Sequence, residues 1–156
     1  MKSKKRFLFW VIVAVVLIAD RITKELAPGI PVEGIEIIPG VIGLRYAENQ
    51  GAAFSMLSGA PRLLGVLSLA LIAGGYIWLR KKKFAAVPLA GLALMAGGAA
   101  GNMFDRLIRG YVPDMIETRF ISFPVFNVAD SCLVIGCILL IISLLFRKQD
   151  WKDMDL

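Results

Sequence analysis

Four long apolar stretches dominate the chain: 7–27, interrupted by a polar patch from Asp20 to Glu25, then 63–79, 85–104 and 128–146. Each is close to the roughly 17–25 residues that cross a hydrocarbon core. The pattern therefore predicts an all-α membrane protein with four transmembrane helices, forming a single integral membrane domain over 1–156 with outer loops at 28–62 and 105–127. The first loop departs from the helical pattern. Ile35–Ile38 and 41–46 are rich in β-branched residues, and Pro39-Gly40 between them signals a turn, so a small β-rich subdomain is expected on the outer face, resting on the bilayer. In the third span, Gly97, Gly98 and Gly101 leave little side chain between helix backbones, a packing signal with no functional content of its own. No internal repeat is evident.

Charge orients the spans. Lys2, Lys4, Lys5 and Arg6, then Arg80 to Lys83, then Arg147, Lys148 and Lys152 supply 11 of the 18 basic residues, all on one side of a four-span arrangement. By the positive-inside rule both termini are cytoplasmic, and the two loops with most of the acids lie outside. The net charge of +6 is thus spread in short blocks between apolar runs, which argues against a nucleic-acid partner. The basic start followed by a short apolar core resembles a signal peptide, but no small-x-small cleavage site follows, so a retained first span is expected.

Composition narrows the chemistry. At 58% hydrophobic residues and a mean hydropathy of +0.72, the chain is more apolar than soluble domains. Histidine is absent, removing the usual general base, the Ser-His and Cys-His nucleophile systems and the commonest metal ligand. Cys132 and Cys137 fall five apart in one apolar run, on different helix faces, and read as small hydrophobes within the membrane. Val134-Ile135-Gly136-Cys137 imitates a lipidation site, but it sits inside the last span with no n-region before it.

Ionisable groups within spans are costly, and here they gather at one end. Asp20 and Lys24 share a face of the first helix at i,i+4; Asn102, Asp105, Arg106 and Arg109 follow at the outer end of the third; Asn127-Val128-Ala129-Asp130 opens the fourth. Each has an ordinary structural reading: an interfacial ion pair for Asp20 and Lys24, a helix cap for Asn127 with Asp130 at N3, a charged helix end for Asp105-Arg106, and a turn after proline for Asp114. Taken together, three helices bring amides and charges to one membrane depth, which no single ordinary reading explains. Two carboxylates at a poorly solvated site would share a proton, the state that aspartic proteolysis requires.

At these positions the chain resembles the lipoprotein signal peptidases, also called signal peptidase II, a family of bacterial inner-membrane aspartic peptidases. The elements carrying the resemblance run in order across nearly the whole chain. They are Asp20-Arg21-Ile22-Thr23-Lys24, Asn49-Gln50-Gly51-Ala52-Ala53-Phe54-Ser55, Gly97-Gly98-Ala99-Ala100-Gly101-Asn102-Met103-Phe104-Asp105-Arg106, Gly110-Tyr111-Val112-Pro113-Asp114 and Phe123-Pro124-Val125-Phe126-Asn127-Val128-Ala129-Asp130. The resemblance implies that Asp114 and Asp130 are the catalytic dyad. It implies that Asp20, Lys24, Asn49, Gly51, Asn102, Asp105, Arg106 and Asn127 support the dyad or contact substrate. Met115 departs from the phenylalanine usual in the family, preserving an apolar contact. The implied substrate is a diacylglyceryl-modified prolipoprotein, cut just before the lipidated cysteine, with membrane lipids as surroundings and a monomer as the expected state. Such a mechanism needs no cofactor and no metal. The helix dipole favours ionised Asp130, making it the base and Asp114 the acid.

Three rival readings have distinct signatures. A Ser-Lys peptidase would use Ser55 or Ser58 with Lys24 as base; a small ion or proton transporter would place polar groups along a path through the membrane; a membrane scaffold would tolerate Asp→Asn.

Overall fold

A computed structural model describes residues 3–51, 59–80 and 82–151. Four helices, α1 (Ser3–Leu26), α2 (Pro61–Leu79), α3 (Ala86–Ile108) and α4 (Val128–Phe146), carry a three-stranded antiparallel sheet of β1 (Ile35–Ile38), β2 (Ile42–Asn49) and β3 (Val112–Thr118). Among the described residues, α2, α3 and α4 are long and apolar enough to cross a membrane. The fourth expected span, α1, has an unbroken apolar run only over 7–19 before Asp20, Arg21 and Lys24. Its polar and apolar groups are nevertheless sorted by face: Asp20 and Lys24 point inward, whereas Val15, Ile18, Ile22 and Leu26 lie exposed along the opposite side at three- and four-residue spacing.

The middle of the bundle is α3, which packs on α1, α2 and α4. Its buried stripe, Leu89, Ala93, Gly97, Gly98, Gly101, Asn102 and Asp105, shifts from apolar to polar along the axis. Close approach requires glycine at two points. A Cβ on Gly98 would collide with the Ala129 carbonyl oxygen of α4, and one on Gly101 would sit 2.5 Å from Asp20 Oδ2 of α1. The glycines that read as packing signals in the sequence thus bring the first turn of α4 and the acidic end of α1 onto α3. At the other end of the bundle, Phe84 and Leu89 anchor a small cluster with Phe9, Leu79, Leu92 and Trp151, and the Trp151 indole donates to buried Ser143 at 3.0 Å.

The two strands expected in the first loop form, joined at Pro39-Gly40 with Gly40 at a φ of +67°, as the turn demands. The second loop is shorter than its expected bounds of 105–127 and contains an unexpected strand. α3 runs on to Ile108, which keeps Asp105 and Arg106 at its helical outer end as their spacing implied, and 112–118 forms β3, paired with β2. Proline normally argues against a strand, but Pro113 lies on an edge strand, where a missing N–H is tolerated. Beyond β3 the chain folds back, and Phe126 pairs with Ile116 before entering α4. Asp114 is therefore a strand residue and not a turn residue. Cys132 is half-buried and Cys137 exposed on the outside of α4, both unpaired.

Candidate active site

The site begins with a local rule of helix capping. Asn127 is the N-cap of α4: its side-chain oxygen accepts the Asp130 N–H at 2.9 Å, while the Asn127 N–H donates to Asp130 Oδ2 at 3.2 Å. This reciprocal box fixes the Asp130 side chain at the positive end of the helix dipole. The other carboxylate oxygen, Oδ1, accepts from Asn102 Nδ2 of α3 at 2.7 Å.

Asp114 reaches the same place from the sheet. It pairs with Ala47 in the β2–β3 register, and the return of Phe126 onto Met115 and Ile116 brings Asn127 alongside. Asn127 Nδ2 donates to Asp114 Oδ1 at 2.6 Å, and Asn49 Nδ2, from the end of β2, donates to Oδ2 at 3.0 Å. One amide, Asn127, thus binds Asp114 through its nitrogen and the Asp130 backbone through its oxygen. Asp114 is only 2% exposed. Burial, reinforced by the nearby charge of Asp130, pushes its carboxyl up to about 6, against the lowering influence of the two amides and Lys24. Met115 beside it is buried, the apolar contact expected there.

Beneath the two acids lies a cationic hub. Lys24 is 0% exposed, and its ammonium meets three oxygens at 2.8 Å: Asp20 Oδ2, Asp105 Oδ2 and Asn102 Oδ1. All three N–H bonds are used, as a buried ammonium requires. A cation on Asn102 Oδ1 forces the amide nitrogen to face the other way, toward Asp130. Asp20 carries the arrangement into α4, accepting the Ala129 N–H at 3.1 Å. Arg106 Nη2 donates to the Gly51 carbonyl at 3.0 Å, and its Nε is buried with no partner among the described residues. Gly51 N in turn donates to Asn49 Oδ1 at 3.0 Å.

Every residue that the resemblance assigned to the dyad or its support lies in this one network: Asp20 and Lys24 from α1, Asn49 and Gly51 from β2 and its end, Asn102, Asp105 and Arg106 from α3, Asp114 from β3, and Asn127 and Asp130 from α4. Ala52, Ala53, Phe54, Ser55 and Ser58 lie outside the described residues. Sequence reasoning missed Arg21, which donates to Asp105 Oδ1 at 3.0 Å, and the partnership of Arg109 with Glu25 at the edge of the site. Arg21 does carry a signal: it adjoins Asp20 and Lys24 in a patch whose charges need partners. Among the described residues no group of acidic or thiol side chains is arranged to hold a metal ion.

Comparison with known proteins gives one consistent result. The model of the family described as signal peptidase (SPase) II matches residues 12–146. The chain is 39% identical over 152 residues to a lipoprotein signal peptidase of Lactobacillus johnsonii, covering 96% of this chain and 99% of that one. It is 37% identical over 145 residues to the lipoprotein signal peptidase of Streptococcus pneumoniae, covering 91% and 95%. A solved structure described as a bacterial membrane enzyme, determined by the in meso method at 2.3 Å, superposes with a TM-score of 0.82 at 30% identity over 96% of this chain and 94% of that one. With a family model matching most of its length and relatives this similar end to end, the chain belongs to the signal peptidase II family.

Proposed function

We propose that this protein is a membrane aspartic endopeptidase that removes the signal peptide from diacylglyceryl-modified prolipoproteins, cutting just before the lipidated cysteine. The observation that carries the reading is the two-sided hold of Asn127, which ties the Asp114 carboxyl to the first turn of the helix bearing Asp130. Ionised Asp130 takes a proton from water, and the water oxygen adds to the scissile carbonyl carbon. Protonated Asp114 gives its proton to the carbonyl oxygen, producing a neutral gem-diol. As the C–N bond breaks, Asp130 passes its proton to the departing nitrogen and one hydroxyl returns a proton to Asp114, restoring the starting state. The division of roles is supported by the dipole and paired donors at Asp130 and by the raised Asp114 carboxyl. Arg106, with Nε unpartnered among the described residues, and Asn49 and Gly51, at and just past the end of β2 where β1 no longer pairs with it, are assigned to the substrate chain.

In this reading α1 is also a span, its polar groups turned into the bundle and its apolar face to lipid. Both termini are cytoplasmic in the inner membrane and the dyad lies near the outer face, where a lipid-bearing substrate presents its cleavage point. The protein works as a monomer. The Ser-Lys alternative loses its base, because Lys24 is held by three oxygens within the bundle. The transporter and scaffold readings gain nothing from the family the chain belongs to. To test the reading, the purified protein is given a diacylglyceryl-modified precursor and the same precursor unmodified, and the products are weighed. Cleavage of the modified chain alone, with the lipidated cysteine as the new N-terminus, is expected; no cleavage, or a cut elsewhere, would contradict it.

A further inference from the structure

The bundle is not equally packed on all sides. α2 lies against α3 but scarcely meets α1, and between α1 and α2 opens a cleft of about 870 Å³ floored by α3. Its walls are nearly all apolar, including Val13, Ile72, Leu92 and Ala96, and Trp10 of α1 meets Tyr76 of α2 in a tilted ring contact, centroids 6.0 Å apart, that joins the two walls. Two charges interrupt the lining, Arg6 and Arg80, both at the end of the bundle that carries the chain termini. Neither arginine has a side-chain partner among the described residues, in contrast to Lys24.

Dimension and charge together select an occupant. Along α3 the cleft extends from Leu89 to Ala100, which at a rise of ~1.5 Å per residue is about half of a ~30 Å hydrocarbon core. That is the depth of one leaflet. A signal-peptide helix would need the whole core, and its basic n-region would meet Arg6 and Arg80, a like-charge clash. Water gains nothing in so apolar a cavity. An acyl chain matches the depth, and a phosphate matches two guanidinium groups without a side-chain partner among the described residues. We propose that the α1–α2 cleft is a binding site for an anionic glycerophospholipid of the leaflet at the chain termini, its phosphate between Arg6 and Arg80 and an acyl chain lying on α3. The inference rests on the transmembrane placement of α1 proposed above, and not on the dyad.

Trp10 in the wall supplies the reporter. The full-length protein is placed in nanodiscs containing brominated phosphatidylglycerol or, at equal mole fraction, brominated phosphatidylcholine. Tryptophan fluorescence and precursor cleavage are then read on the same samples. The anionic lipid should quench several-fold more strongly, the excess should vanish in Trp10→Phe, and raising the salt should shrink it. Arg6→Gln with Arg80→Gln should bring the two lipids level with cleavage unchanged, while Arg6→Lys with Arg80→Lys should retain the preference. Equal quenching by both lipids in the wild type, a preference that survives loss of both arginines, or displacement of the anionic lipid by an apolar peptide with a basic end would each overturn the proposal.

Discussion

Asp114 and Lys24 are buried for opposite purposes. Lys24 is compensated completely, with three carboxylate or amide oxygens around one ammonium, so it ties helices together and holds no reactive proton. Removing it, as in Lys24→Met, leaves Asp20 without its cation. A loss of about 3–5 kcal/mol in stability is expected, as for other broken buried pairs, read as a lower unfolding temperature in detergent. Asp114 is bonded only to neutral amides, with Lys24 acting at a distance, and burial and the charge of Asp130 still hold its carboxyl high, at about 6. Its protonated form is the one the mechanism needs, so kcat/KM should be sustained below that pH and fall tenfold per unit above it, on a limb belonging to the coupled pair. A flat profile from pH 5 to 8 would contradict the role of Asp114 as acid. At this scale the sequence was legible where the rule is local: the Asn127–Asp130 box follows from spacing alone. The Arg21–Asp105 bond joins residues 84 apart and has no spacing to betray it.

Among the elements, the connection between α3 and α4 departs most from its sequence pattern. Strand β3 lacks a clean alternation, begins Val112-Pro113, and is buried over its first four residues, so period-two reading passes it by. It forms because β2 offers a paired edge and because Phe126 returns onto Ile116. That is a tertiary cause and it is what places Asp114 against Asn127. Strands β1 and β2, by contrast, were legible from β-branched residues flanking a proline-glycine turn. Asn127→Ala should cost about 1 kcal/mol as a lost cap yet lower turnover by a much larger factor, since the same amide holds Asp114; equal small losses in both would separate capping from catalysis. Gly98→Val should drive α4 from α3 and lower the unfolding temperature, because its first side-chain atom already meets the Ala129 carbonyl. Wild-type stability in that variant would contradict the packing described.

At the scale of the molecule, hydropathy located all four helices to within a few residues, because a helix that crosses a bilayer needs an apolar run of a set length. Only the interrupted α1 falls short on composition, and its polar residues are those turned inward to the site. What hydropathy does not carry is the lateral packing, such as the α1–α2 cleft, which depends on which faces meet. The orientation proposed from the basic blocks predicts that, in intact cells, an impermeant thiol reagent labels Glu33→Cys and spares Lys4→Cys. The reverse pattern would invert the topology. The central claim, two aspartates sharing one proton at the end of a membrane bundle, is tested most directly by turnover of a diacylglyceryl-modified precursor by Asp114→Asn and by Asp130→Asn, each checked for native helix content. Both folded variants are predicted to lose cleavage to background; measurable turnover in either one would contradict the dyad.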